Sequence, residues 1–283
     1  VSDIVLEAGG ARLAVATLGA EARSWQVGGR ELLWPGDPAI WAGVSPILFP
    51  VVGWLRDGVR VAGKPYALEK HGFARRKTFV VDRRSADSVR LVLRDDEETR
   101  AVYPFAFRFA VEYAISGGEW RLVLEAANTG SEPMPYACGT HPGVVVSPGA
   151  ATRFSAPERP LVPRLAPGGL MSRDMRELPL QQGTQLPVND ELYASDALCF
   201  LDCASHSLRL EQADGSAIEM ARGDFLHMAL WRRPPGPYLC LEAWTGYSDP
   251  VGFAGDLFEK PSMRVLAPGE TARHAMAYRF HPA

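Results

Sequence analysis

His71, His141 and Glu242 are the residues whose types and settings could do chemistry. They stand in His71-Gly72-Phe73-Ala74-Arg75, in Gly139-Thr140-His141-Pro142-Gly143 and in Leu241-Glu242-Ala243-Trp244. An imidazole is acid or base near neutral pH, and a desolvated carboxylate can be tuned upward, so the set is equipped to move protons. The bland alternatives are real. A lone His in a β protein is usually hydrogen-bonded or at the surface, and Glu242, taken alone, reads equally as the solvent-facing member of a strand. Against that, Tyr238-Leu239-Cys240-Leu241 and Ala243-Trp244 enclose it in apolar sequence, where an ionisable group costs free energy unless paired or functional. His206, His227, His274 and His281 have no such context and are assigned to structure or surface.

These residues must be positioned by β-structure. From Arg108 to Ala127, Phe109, Val111, Tyr113 and Ile115 share one face, and after Gly117-Gly118 so do Trp120, Leu122 and Leu124, which predicts a hairpin with a glycine turn. Period-two runs recur at Val89-Leu91-Leu93 and His274-Met276-Tyr278-Phe280. Val27-Gly28-Gly29-Arg30 and Val61-Ala62-Gly63-Lys64 read as further hairpin turns. No run of 12 or more residues has capped helical spacing. The expected fold is all-β, one domain over 1–283. The stretch from Pro148 to Pro187 holds seven prolines and is the least regular; its Phe154, Leu161, Leu165 and Leu170 predict long loops packed on a sheet.

Composition narrows the class. The chain has 283 residues, 47% hydrophobic, with a formal charge of -3 and no Lys/Arg-rich run, so neither disorder nor a nucleic-acid partner is expected. No apolar run is long enough to span a membrane and the start has no signal-peptide pattern, which together predict a cytoplasmic protein. Cys138, Cys199, Cys203 and Cys240 are too scattered for a disulfide framework or a usual zinc site, and are read as buried free thiols. No Gly-x-Ser-x-Gly elbow supports a hydrolase, and only one carboxylate has a setting suited to a glycosidase pair.

The segment Ser45-Pro46-Ile47-Leu48-Phe49-Pro50-Val51-Val52-Gly53, followed by the His71, His141 and Glu242 motifs in that order, resembles the aldose 1-epimerase (galactose mutarotase-like) family, in its LacX-type branch. The resemblance spans nearly the whole chain. It implies a large antiparallel β-sandwich, the galactose mutarotase-like supersandwich, with an open sugar cleft and a reaction that interconverts α and β anomers of an aldose. Glu242 then matches the general base, His141 the general acid and His71 a substrate-positioning imidazole. No metal or cofactor is required. A free Glu titrates near about 4.3 and a free His near about 6.5, so the base must be raised by burial and the acid needs its cation stabilised by a carboxylate such as Glu242 or Asp196.

The expected partner is a small sugar; a homodimer stays open. Arg75, Asp196, Trp54, Phe73 and Trp244 are candidate sugar contacts, aromatic faces suiting the C–H faces of a pyranose. Phe49 also lies near these motifs, and since most aromatics in a sandwich are core, at most two or three of Phe49, Trp54, Phe73 and Trp244 are expected to touch a ligand. The chain departs from LacX-type sequences at one point: their Phe-Pro-x-Val-Gly motif is followed by a sugar-binding Arg, and here Trp54 follows Gly53. Arg56, two residues on, would face the same side in an extended strand and could substitute. Two other readings remain open, a hexose 6-phosphate mutarotase using Arg75 near the phosphate and a non-enzymatic carbohydrate-binding or sensor protein.

Overall fold

The computed structural model describes residues 3–283, and its architecture is antiparallel β-sheet throughout. The predicted hairpin is strands Phe107–Ser116 and Glu119–Asn128, paired from Phe107 opposite Asn128 to Ser116 opposite Glu119. It lies near one end of a nine-stranded sheet. Glu119–Asn128 is flanked by Thr271–His281, and Phe107–Ser116 by Ser88–Arg94 and then the edge strand Val80–Arg84. The alternation sends Phe109, Val111, Tyr113, Trp120, Leu122 and Leu124 inward. On the outer face Glu125 meets Arg90 at 2.6 Å, Arg108 at 3.0 Å and Arg273 at 3.2 Å.

A smaller sheet carries the chemistry. Its path runs Leu198–Phe200, His227–Trp231, Tyr238–Trp244, Gly139–Thr140, Ile47–Leu48, with Gly143–Val145 also pairing Tyr238–Trp244. Every residue of Tyr238–Trp244 is buried, yet its two faces differ. Leu239, Leu241 and Ala243 enter the main core between the sheets, whereas Tyr238, Cys240 and Trp244 belong to smaller clusters on the far face, the face of Glu242. The long strand Thr271–His281 braces this sheet from behind. Tyr278 Oη donates to the Leu241 carbonyl at 2.8 Å and lies 3.0 Å from Thr140 Oγ1.

Helix is confined to short turns such as Glu97–Val102, whose Asp96 cap accepts from Thr99 N–H, and Asp190–Tyr193. No helix of the described residues is long and apolar enough to cross a membrane. The segment 148–187 departs from expectation. It contains strands Ala151–Phe154 and Gln185–Pro187 of the large sheet and a hairpin of its own, Leu161–Ala166 with Leu170–Glu177. Pro163 is accommodated because the register shifts between Pro163 and Leu165, and proline is tolerated at such bulges. All four cysteines are free and buried, as read from the sequence.

Candidate active site

The cleft is assembled from two approaches to strand Tyr238–Trp244. His141 follows the two paired residues Gly139–Thr140, and the chain re-enters pairing at Gly143, opposite Cys240. Between them the backbone bulges, and the His141 N–H donates to the Pro46 carbonyl at 3.1 Å. His141 Nε2 thereby stands 3.3 Å from Glu242 Oε1. Glycines flank it for a steric reason. A Cβ on Gly139 would sit 2.7 Å from the Trp244 ring, and one on Gly143 would sit 2.8 Å from the Trp41 ring. Trp41 and Trp231 wall the imidazole at 5.3 and 5.6 Å between ring centroids.

His71 arrives on the second approach. Its backbone takes the left-handed conformation, φ 62°, which costs a non-glycine residue about 1–3 kcal/mol and persists only where surroundings enforce it. They do. His71 N–H donates to the Gly53 carbonyl at 3.0 Å, and Gly53 N–H donates to His71 Nδ1 at 3.1 Å. The second bond fixes the tautomer: Nδ1 accepts, so Nε2 carries the hydrogen. The next residue must be glycine, because a Cβ on Gly72 would meet the Phe49 carbonyl oxygen at 2.2 Å. The His71 ring lies 5.7 Å from that of His141 at 87°.

Together these side chains line a cleft of about 480 Å³, within the roughly 300–1,000 Å³ usual for small-molecule sites. Trp54, Arg75, Asp196 and Trp244 line it, as expected from sequence. Trp244 also donates from Nε1 to Glu242 Oε2 at 3.1 Å. Arg75 spends one guanidinium nitrogen on the Lys70 carbonyl at 3.0 Å, while its buried Nε has no partner among the described residues. Asp196 takes φ 135° and its carboxylate accepts from Ala197 N–H at 2.8 Å, so it acts as a local cap as well as a wall.

Two expected contacts are corrected. Phe73 is in the core, 5.6 Å from the Phe107 ring and 6.1 Å from Phe49, which itself stacks on Phe109 at 4.1 Å. Arg56 does not replace the missing arginine. Residues 54–56 form no strand, because Gly53 turns the chain at φ 79°. The Arg56 side chain lies 3.3 Å from Asp57 and donates to the Phe253 carbonyl, lining a separate hollow of about 80 Å³.

The electrostatics bear out one expectation and overturn another. Burial pushes the Glu242 carboxyl well above the usual carboxylate range, opposed by the Trp244 hydrogen bond and by Lys70. Burial also drives His141 down to about 3, against the expected carboxylate-stabilised cation. His71 is held well below its ordinary value by burial, then by His141, Lys70 and Arg75. Burial thus acts against charge on both members of the His141–Glu242 pair, raising the carboxyl and lowering the imidazole.

Several wall residues escaped the sequence reading: Lys70, Trp41, Trp231, Arg232, Arg233 and Ser248. Lys70 precedes a singled-out histidine, and Trp231 ends the strand paired to Glu242 with Arg232-Arg233 just beyond it, but only the fold aims them at one space.

This fold and cleft define a class. The chain matches the aldose 1-epimerase family over residues 2–279 and belongs to it; it is an enzyme of the isomerase class. The chromosomal LacX protein of Lactococcus lactis subsp. lactis is 28% identical over 262 residues, 87% of this chain and 88% of LacX. The solved galactose mutarotase related enzyme of Lactobacillus acidophilus superposes with a TM-score of 0.92 at 27% identity, over 99% of this chain and 97% of that one. A galactose mutarotase-like protein of Lactobacillus casei gives 0.93 at 25% identity, over 99% and 100%.

Proposed function

We propose that this protein is a mutarotase that interconverts the α and β anomers of a free aldose, with Glu242 as base, His141 as acid and His71 as a positioning donor. The observation that carries the reading is the His141–Glu242 pair, its carboxyl buried and its two members 3.3 Å apart on the wall of a cleft of sugar size. Ring opening needs a proton taken from the anomeric hydroxyl and another given to the ring oxygen. Rotation about C1–C2 and reversal of both transfers closes the ring on the other face. A proton passed from the Glu242 carboxyl to the His141 imidazole gives the carboxylate and imidazolium this requires. The Trp244 N–H and the Lys70 charge favour the carboxylate side of that transfer. The Nε2–H of His71, set by Gly53, suits donation to a sugar hydroxyl.

A second reading, a hexose 6-phosphate mutarotase, is favoured by charge. Lys70, Arg75, Arg232 and Arg233 line the cleft against Asp196 and Glu242. Guanidinium groups match phosphate oxygens. Polarimetry or NMR on freshly dissolved α-anomers tests both. Acceleration of free hexoses above the phosphorylated ones supports the first reading, and the reverse order supports the second. Sugar binding without acceleration of any would replace both with a carbohydrate-binding role.

A further inference from the structure

Trp54 lies in the cleft wall between two unlike neighbours. On one side is the tip of the hairpin Leu161–Ala166/Leu170–Glu177, where a Cβ on Gly169 would lie only 1.9 Å from the indole, so glycine lets the turn close against the ring. On the other side the Lys70 ammonium sits over the ring, 3.9 Å from its centroid. That is cation–π geometry, worth more as the ammonium is desolvated. Burial, and then Arg75, depress the Lys70 ammonium, opposed by Asp196 and Glu242, so this half-buried cation gains from the indole face. Among the described residues no hydrogen bond or ion pair occupies Nζ. Its three N–H donors are therefore oriented by a ring and unspent.

We propose that Lys70, held on the face of Trp54, is the cationic hydrogen-bond donor that recognises a sugar hydroxyl in this cleft. The inference rests on the cleft being an aldose site. It assigns Trp54 a positioning part: the indole orients Lys70 and is not itself the group that binds the hydroxyl. Lys70, not Arg56, then supplies the charged donor beside Gly53. Lys70 is thereby a determinant of affinity and of which hydroxyl is read.

The test is isothermal titration with the best aldose and its monodeoxy analogues, alongside kcat and KM, for wild type, Lys70→Met, Lys70→Arg, Trp54→Leu and Lys70→Met/Trp54→Leu, each first checked for a native melting transition. Lys70→Met should weaken binding about 10- to 100-fold, the range for a hydrogen bond to a charged group, with most of the loss in KM. Lys70→Arg should recover part of it. One monodeoxy sugar should bind Lys70→Met no worse than wild type, marking the hydroxyl that Lys70 contacts. Trp54→Leu should weaken binding in the wild-type background and add little in Lys70→Met. Binding by wild type that Lys70→Met leaves unchanged overturns the inference while sparing the aldose reading. Additive losses for Lys70 and Trp54 overturn the positioning part. A wild type that binds no aldose removes the aldose reading and this inference with it.

Discussion

His141 and Glu242 face each other at 3.3 Å although 101 positions separate them, because Gly139 and Gly143 both pair with the strand that carries Glu242 and leave His141 bulged above it. The pair is therefore built into the sheet and does not hang from flexible loops. Burial accounts for both shifts, the imidazole downward between Trp41 and Trp231 and the carboxyl upward against the Trp244 hydrogen bond.

The two histidines should separate kinetically. His141 touches the carboxylate, so His141→Asn should lower kcat by about 100-fold or more, as for loss of an acid/base group. His71 is a fixed neutral donor, so His71→Asn should raise KM at least as much as it lowers kcat. Steady-state anomerisation kinetics read both. The opposite pattern would exchange their roles.

Acid should destabilise the protein earlier than carboxylate titration alone would. Burial holds His141 down to about 3 and His227 down to about 4, and also lowers His71 and His274. The unfolded chain takes up protons on these histidines near about pH 6.5, where the folded one does not. Stability is thus full above about pH 6.5 and falls as pH drops towards the folded values. Urea midpoints should decline between about pH 7 and 4.5, and His227→Asn, outside the cleft, should make the decline shallower. A flat profile would contradict the neutral, buried state of these rings.

Much of this site was legible because its strands alternate. Glu242 stood out as a charge in an apolar strand, and Phe107–Ser116 with Glu119–Asn128 could be read residue by residue. The errors came where periodicity lapses. Counting two residues from Trp54 to Arg56 presupposed an extended chain, and Gly53 at φ 79° prevents it. Phe73 shares a motif with His71, but the 3-10 turn Ala74–Arg76 begins there and the ring packs inward. The prolines of 148–187 concealed a hairpin because one of them sits at a bulge. Trp41 and Lys70 had no local signal, since their roles depend on rings and charges brought from distant segments.

Restoring an arginine at position 54 should fail on its own. The Lys70 ammonium stands 3.9 Å from the indole centroid, so Trp54→Arg sets like charges together and should weaken binding of glucose and galactose. Combining it with Lys70→Met should recover affinity. Arg56→Ala, outside the cleft, should leave KM within about twofold, as for surface changes generally. Titration with both hexoses decides; improved hexose binding by Trp54→Arg alone would contradict the Lys70 placement.

The loop bearing Trp54 hangs on a buried ion pair. Lys260 Nζ lies 2.6 Å from Asp249 Oδ1; Asp249 also accepts from Arg56 N–H at 3.0 Å and donates its own N–H to the Trp54 carbonyl at 2.9 Å. Lys260→Met leaves the carboxylate buried and unpaired, so it should cost about 3–5 kcal/mol by urea unfolding and raise KM. A loss below about 1 kcal/mol would mean the pair carries little of the loop's order.

The most direct measurement is the decay of optical rotation of the best fresh α-aldose with wild type and with Glu242→Gln. The amide keeps the side chain's shape and removes both the proton acceptor and the buried ionisable group, while Trp244 can still donate to the amide oxygen. The catalysed rate should fall by at least about 100-fold with the melting temperature unchanged or raised. A Glu242→Gln protein that is folded and anomerises the sugar near the wild-type rate would contradict the account at its centre.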